Sequence, residues 1–282
     1  MLKASFGYFD KDGAEFVVTD YKTPLPLINY FWNEQFISGV SQQMAGIGCF
    51  TDRQMQYMHP ETRSLMVREE NRHFYLRDDE SGEFWSPGCY PVGVEPDKFL
   101  CRHGLGYSVL ESETRGIETQ MRVFVPEDEP AEIWTVTLAN RSEKKRKVSF
   151  YSFIDLLLTG YEEYCDYHSH LLTSYDKSSR ALTAVNRAPE TPHAWFCAFV
   201  ASDRGPDGYD GARGSFLGTP GAVSVPRAVV EGEMGNSEGV CERLVGAFQH
   251  KFELAPGESV SFNVAIGATD SPETSARISG KI

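Results

Sequence analysis

Apolar and polar positions alternate with a period of two through most of the chain, the spacing of a half-buried β-strand rather than of a helix. In FGYFDKDGAEFVVTD, Phe6 and Tyr8 precede the turn Lys11-Asp12-Gly13, and Phe16 and Val18 follow it. An Asp-Gly pair supplies the positive φ that a tight turn needs, so this stretch predicts a β-hairpin. Further on, the pattern predicts one strand through Val125, an acidic Pro-rich turn, a strand from Glu132 to Leu138, a polar turn from Asn140 to Lys147, and a strand from Val148 to Leu158. His193 to Ala201 and Leu244 to Leu254 read as strands by the same logic, and the turn Ala255 to Glu258 leads into a closing strand, Ser259 to Ala268. Helical spacing is nearly absent: only Asn33 to Gln43 and the tail from Ser271 predict short helices. Two connections are long, Tyr57 to Phe99 and Asp203 to Cys241, and loops of that length carry function or cover a neighbour.

Composition narrows the class. With 282 residues and 41% hydrophobic content the chain can bury a large core. Its formal charge of -13, from 40 acidic against 27 basic residues, makes nucleic acid and anionic membrane surfaces poor partners. The start, MLKASFGYFDKDG, lacks the apolar core of a signal peptide, and apolar runs such as Ile154 to Leu158, interrupted by Asp155, are too short to cross a bilayer. A cytoplasmic location is the expectation. Six cysteines without a C-x-x-C pair fit reduced thiols better than a disulfide framework or a zinc site.

Candidate chemistry is sparse. CDYHSH, Cys165 to His170, would place His168 and His170 on one strand face, but no neighbouring cluster completes a four-ligand shell, so neither a metal nor another cofactor is expected. Adjacent acids such as Glu162-Glu163 and Asp78-Asp79-Glu80 carry no catalytic signature, and no nucleophile elbow or phosphate-cradling glycine loop occurs. The basic run RSEKKRK, Arg141 to Lys147, reads as a solvated hairpin turn. CRHGLGYS groups Cys101, Arg102 and His103 before Gly104 and Gly106; without a partner acid it reads as a presented edge, its glycines allowing close backbone approach to another surface. Aromatic faces with a few directed polar groups suit a sugar ring, and Tyr30, Phe31, Trp32, Trp85, Tyr90 and Tyr107 lie near Asn33, Glu34, Arg102 and His103 in sequence. Each of these aromatics is equally readable as sandwich core.

Three stretches, TPLPLINYFWNEQFISGVSQQMAGIGCFTD (Thr23 to Asp52), GEFWSPGCYPV (Gly82 to Val92) and FLCRHGLGYSVLE (Phe99 to Glu111), together resemble the N-terminal domain of glycoside hydrolase family 94, formerly glycosyltransferase family 36. That family includes cellobiose, cellodextrin, laminaribiose and chitobiose phosphorylases. Val123 to Leu158 and Gly214 to Gly239 resemble its paired strands and its long later loop.

The resemblance implies an all-β fold, a β-supersandwich of the galactose-mutarotase-like type with few short helices, over residues 1–270. Residues 271–282 would begin a linker to a catalytic (α/α)6 barrel, which carries the general acid and the phosphate site and is absent here. It implies a non-catalytic domain of an inverting glycoside phosphorylase, inactive alone. Such a domain supports a homodimer and the acceptor side of a cleft for β-linked oligosaccharides, with inorganic phosphate as co-substrate. Arg102, His103 and Trp85 are the substrate-binding candidates that it implies, at the aglycone end, and Cys89 departs from the bulkier residue of many members. The alternative is a stand-alone carbohydrate-binding module without catalysis.

Overall fold

The computed structural model describes residues 3–50, 72–156, 170–187, 197–269 and 272–281. Its first strands are β1 (Lys3–Ala4), β2 (Gly7–Phe9), β3 (Glu15–Val18), β4 (Ile28–Trp32), β5 (Phe36–Ser41) and β6 (Gly46–Phe50). Then come β7 (Arg72–Asp78), β8 (Phe84–Trp85), β9 (Lys98–Gly104), β10 (Tyr107–Thr114), β11 (Ile117–Phe124), β12 (Ala131–Asn140) and β13 (Arg146–Leu156). The later part holds β14 (Leu171–Asp176), β15 (Ala181–Asn186), β16 (Cys197–Ser202), β17 (Gly208–Ala212), α1 (Arg213–Leu217), α2 (Arg227–Glu231), β18 (Leu244–Leu254), β19 (Ser259–Thr269) and α3 (Pro272–Ser279).

These strands form an 11-stranded sheet ordered β1-β2-β3-β9-β10-β11-β12-β19-β16-β15-β14, a 5-stranded sheet ordered β17-β18-β13-β7-β8, and a 3-stranded sheet ordered β4-β5-β6. All named ladders are antiparallel, so alternate residues of each strand face opposite sides. The main core gathers Leu110, Met121, Trp134 and Val264 from the large sheet, Phe74, Leu76, Phe150 and Phe248 from the 5-stranded sheet, and Phe31, Phe36 and Val40 from the small one. Phe74 and Trp134 meet with ring centroids 4.7 Å apart, and Phe150 and Phe262 meet edge to face at 5.3 Å.

The other face of the 5-stranded sheet is buried too. Tyr75, Tyr151, Phe153, Val245 and Ala247 pack beneath Phe216, Leu217, Ala228 and Val229 of α1 and α2. The connection from Asp203 to Cys241 therefore covers a neighbour, as its length suggests, and also supplies β17 as an edge strand. α3 likewise lies on the outer side of β15, β16 and β19, where Ile278 meets Ala181, Phe199, Ala201 and Ala265.

The predicted strands over 117–125, 132–138, 148–158, 244–254 and 259–268 are found as β11, β12, β13, β18 and β19, and the helix after Ser271 is α3. Residues 157 and 158 of the third prediction lie outside the described residues. So do residues 193–196 of the predicted strand that is seen as β16. The helix predicted from Asn33 to Gln43 is corrected to β5. Phe36, Ser38 and Val40 point into the core while Ile37 and Gly39 face away, a period of two that so short an apolar segment does not separate from the 3.6-residue period of a helix. The connection from Tyr57 to Phe99 contains β7 and β8, and β7 escapes an alternation test because both its faces are buried. RSEKKRK is not wholly solvated: buried Arg146 donates from Nε to Asp78 Oδ2 at 2.8 Å. Burial alone would raise the Asp78 pKa, but the Ser81 N–H and the Arg146 guanidinium outweigh it and hold it below the usual carboxylate range.

Candidate functional site

CRHG is β9 itself, an interior strand between β3 and β10, so the expected presented edge is corrected to a sheet-centre position. Alternation splits its three reactive residue types between two faces. Cys101 and His103 point inward, paired across the ladder with Leu110 and Ser108, whereas Arg102 points outward opposite Val109 and Val17. Burial pushes the Cys101 thiol well above its ordinary pKa, which removes it as a nucleophile.

His103 is held by its neighbours rather than aimed at a ligand. Its Nδ1 lies 2.8 Å from Ser108 Oγ, and Asn29 Nδ2 donates to the same Oγ at 3.2 Å and to the carbonyls of Gly104 and Tyr107 at 2.9 Å each. Burial lowers the His103 pKa to about 4, against a smaller opposing effect from the Leu27 backbone, so the ring is neutral at pH 7. The INY stretch and the CRHG stretch are thus neighbours in space because Asn29 is the tie between them.

Arg102 is half-exposed and donates from Nη1 to Glu111 Oε1 at 2.7 Å, with Glu15 3.7 Å from its Nε. The hydrogen bond to Glu111 raises its pKa further, and the guanidinium stays charged. The two glycines have roles inside the hairpin rather than against another surface. A Cβ on Gly104 would lie 2.5 Å from the Tyr107 ring, and Gly106 holds φ at 85° in the two-residue turn that exposes Leu105.

Trp85 lies apart from both, on β8 at the edge of the 5-stranded sheet, and is 1% exposed. Its indole is part of the main core and has no face open to a sugar. The segment after it explains the rest of its motif: a Cβ on Gly88 would sit 2.5 Å from the Gln43 carbonyl oxygen, and Gln43 Oε1 accepts from the Tyr90 N–H at 3.0 Å. WSPGCY therefore docks against the β5–β6 turn. Cys89, at φ 79°, is half-buried there.

Of the other aromatic candidates, Phe31 is core, while Tyr30 and Trp32 share the outer face of β4 and are 46% and 68% exposed. Asn33 is occupied by the turn, donating to the Pro126 and Glu129 carbonyls at 2.7 and 2.8 Å and accepting from the Gln35 and Phe36 N–H groups. Most of CDYHSH, including His168, lies outside the described residues.

The sequence reading missed the polar face beside Arg102. Outward positions of β9, β10, β11, β12 and β19 align in rows, one running Leu100, Glu111, Gln120, Thr137 and Ser261, the next Arg102, Val109, Arg122, Thr135 and Asn263. Its signal was present in the alternate polar letters of ESET and ETQMR, which only the register turns into one surface.

Residues 14–282 match the family described as Glycosyl hydrolase 94, supersandwich domain, and the chain belongs to that family. The chain is 43% identical over 281 residues to a solabiose phosphorylase of Paenibacillus borealis, covering 99% of this chain and 37% of that protein. It is 31% identical over 267 residues to an N,N'-diacetylchitobiose phosphorylase of Vibrio proteolyticus, covering 93% of this chain and 33% of that one. A solved structure of a kojibiose phosphorylase from the human microbiome shares the fold with a TM-score of 0.54 at 7% identity, over 98% of this chain and 36% of the other. The chain thus spans about a third of the length of these proteins.

Proposed function

We propose that this chain is the supersandwich part of an inverting glycoside phosphorylase that splits β-linked disaccharides or oligosaccharides with inorganic phosphate. The observation that supports it is the 43% identity to a solabiose phosphorylase across 99% of the chain. In inverting phosphorolysis one carboxylic acid protonates the glycosidic oxygen while phosphate attacks the anomeric carbon from the opposite face. The two-thirds of the relatives' length that this chain does not match would correspond to the part supplying that acid and the phosphate site, as an (α/α)6 barrel in cis or in trans. The supersandwich would steady a cytoplasmic homodimer and wall the acceptor end of the cleft.

Of the three residues implied for that wall, Arg102 alone presents a charged group to solvent. His103 would set the β9–β10 hairpin, and Trp85 would anchor the segment beside it. The 282-residue chain alone should release no sugar 1-phosphate from a β-linked disaccharide, and a chain extended over the relatives' full length should do so. In that longer protein, Arg102→Ala should raise the acceptor KM about tenfold, the scale of one lost charge-assisted hydrogen bond. Turnover by the short chain would overturn the division of labour, and an unchanged KM would remove Arg102 from the cleft.

A further inference from the structure

The outer face of β9, β10 and β11 contains a depression of about 380 Å³ lined by Lys98, Leu100, Glu111, Glu113, Glu118 and Gln120. That volume is within the range of small-ligand sites. From this geometry we infer a saccharide site in which an uncharged β-linked oligosaccharide lies across the polar face of the large sheet. The inference takes its ligand class from the phosphorylase reading.

Charge selects the ligand. Each carboxylate of the depression already has a cation: Glu113 pairs with Lys98, Glu111 with Arg102 and Glu118 with Arg141, each at 2.7 Å. Three anions against three cations leave a face close to neutral, so a free cation meets sites already filled and an anion meets carboxylates. A hydroxyl-rich neutral ligand suits it, because a paired carboxylate keeps lone pairs for further donors. Lys98 and Arg102 take one oxygen of Glu113 and of Glu111, and Gln120 adds an amide that reaches Glu111 at 3.2 Å. Leu100 supplies an apolar floor for a ring face.

The face also has the extent a chain of sugars needs. Thr137 and Ser261 continue the Gln120 row, and Thr135 and Asn263 continue the Arg122 row, with hydrogen bonds of 3.1 and 2.8 Å between the neighbours. From β9 to β19 this is about 19 Å, four strand spacings of ~4.8 Å. Gln120, Arg122 and Ser261 are exposed, and α3 covers only the far end of β19.

The test titrates the isotopically labelled 282-residue chain with cellotetraose and with laminaritetraose while backbone amide resonances are followed. At least one of the two should give saturable shifts at Leu100, Glu111 and Gln120 in the low-millimolar range. Gln120→Ala, and separately Gln120→Glu, should weaken that binding about fivefold, the scale of one hydrogen bond, with unchanged circular dichroism. Absence of saturable shifts for both sugars, shifts confined to Tyr30 and Trp32, or Gln120 variants of unaltered affinity would overturn the site. Phosphorolysis by the extended protein is measured separately: activity without binding here removes only this site, and binding without phosphorolysis removes only the proposed reaction.

Discussion

Two histidines fix how single residues couple stability to acidity. Burial lowers the pKa of both His103 and His250 to about 4, and His250 is further held by Ser202 Oγ at 3.1 Å from Nε2. An unfolded histidine titrates near its ordinary value, so between about pH 6.5 and 4 the unfolded chain binds protons that the folded chain refuses. The contribution is fully present above that window and is lost as pH falls through it, with a ceiling on the order of 3 kcal/mol per histidine. The denaturation midpoint should fall steeply from pH 7 to pH 5, and His103→Gln should flatten part of that slope. A pH-independent midpoint would show both rings to be solvated. At this scale the sequence offered the right letters, since CRHG does mark a structured place, but the assignment to chemistry came from residue type. Burial decides whether a thiol and an imidazole react, and burial is set by residues such as Asn29 and Leu110 that local spacing does not connect to them.

Among the elements, α3 is the most informative. Its small residues and Ile278 cover an apolar patch of Ala181, Phe199, Ala201 and Ala265 on the outside of the large sheet. Arg277 and Lys281 reach Glu129, exposed pairs that contribute little. Packing therefore holds the helix, and Ile278→Ala should cost about 2–5 kcal/mol, read as a lowered urea midpoint. A change within experimental error would mean that the helix is docked by its ion pairs instead. The pattern of the tail predicted this helix, and the alternation in β11, β12, β18 and β19 predicted those strands. It failed at β5, where a short segment fits either period, and at β7, where both faces are buried.

The whole molecule turns on a buried ion pair that links its three sheets. Arg72 of β7 pairs with Glu132 of β12 and donates to the Gly39 carbonyl of β5 at 3.1 Å, while Glu132 also accepts from Ser38 Oγ and from Trp134 Nε1 at 2.9 Å. The Arg72 guanidinium lies 4.7 Å from the centre of the Trp134 ring. Glu132→Ala leaves a buried cation unpaired and should cost about 3–5 kcal/mol, whereas Arg72→Met combined with Glu132→Leu should cost much less. Equal losses in the single and double variants, compared by chemical denaturation, would refute the pairing as the source. The sequence by itself determined that this is an all-β chain, where several of its turns fall, and which residues of a strand share a face, because side chains alternate along an extended backbone whatever surrounds it. Its motifs also carried the family. Only the tertiary structure decided which strands became neighbours, that Trp85 is core, that Cys101 and His103 turn away from Arg102, and that Glu111, Gln120 and Ser261 form one surface. Register and burial arise from contacts between residues far apart in the chain, and a local pattern holds no record of them.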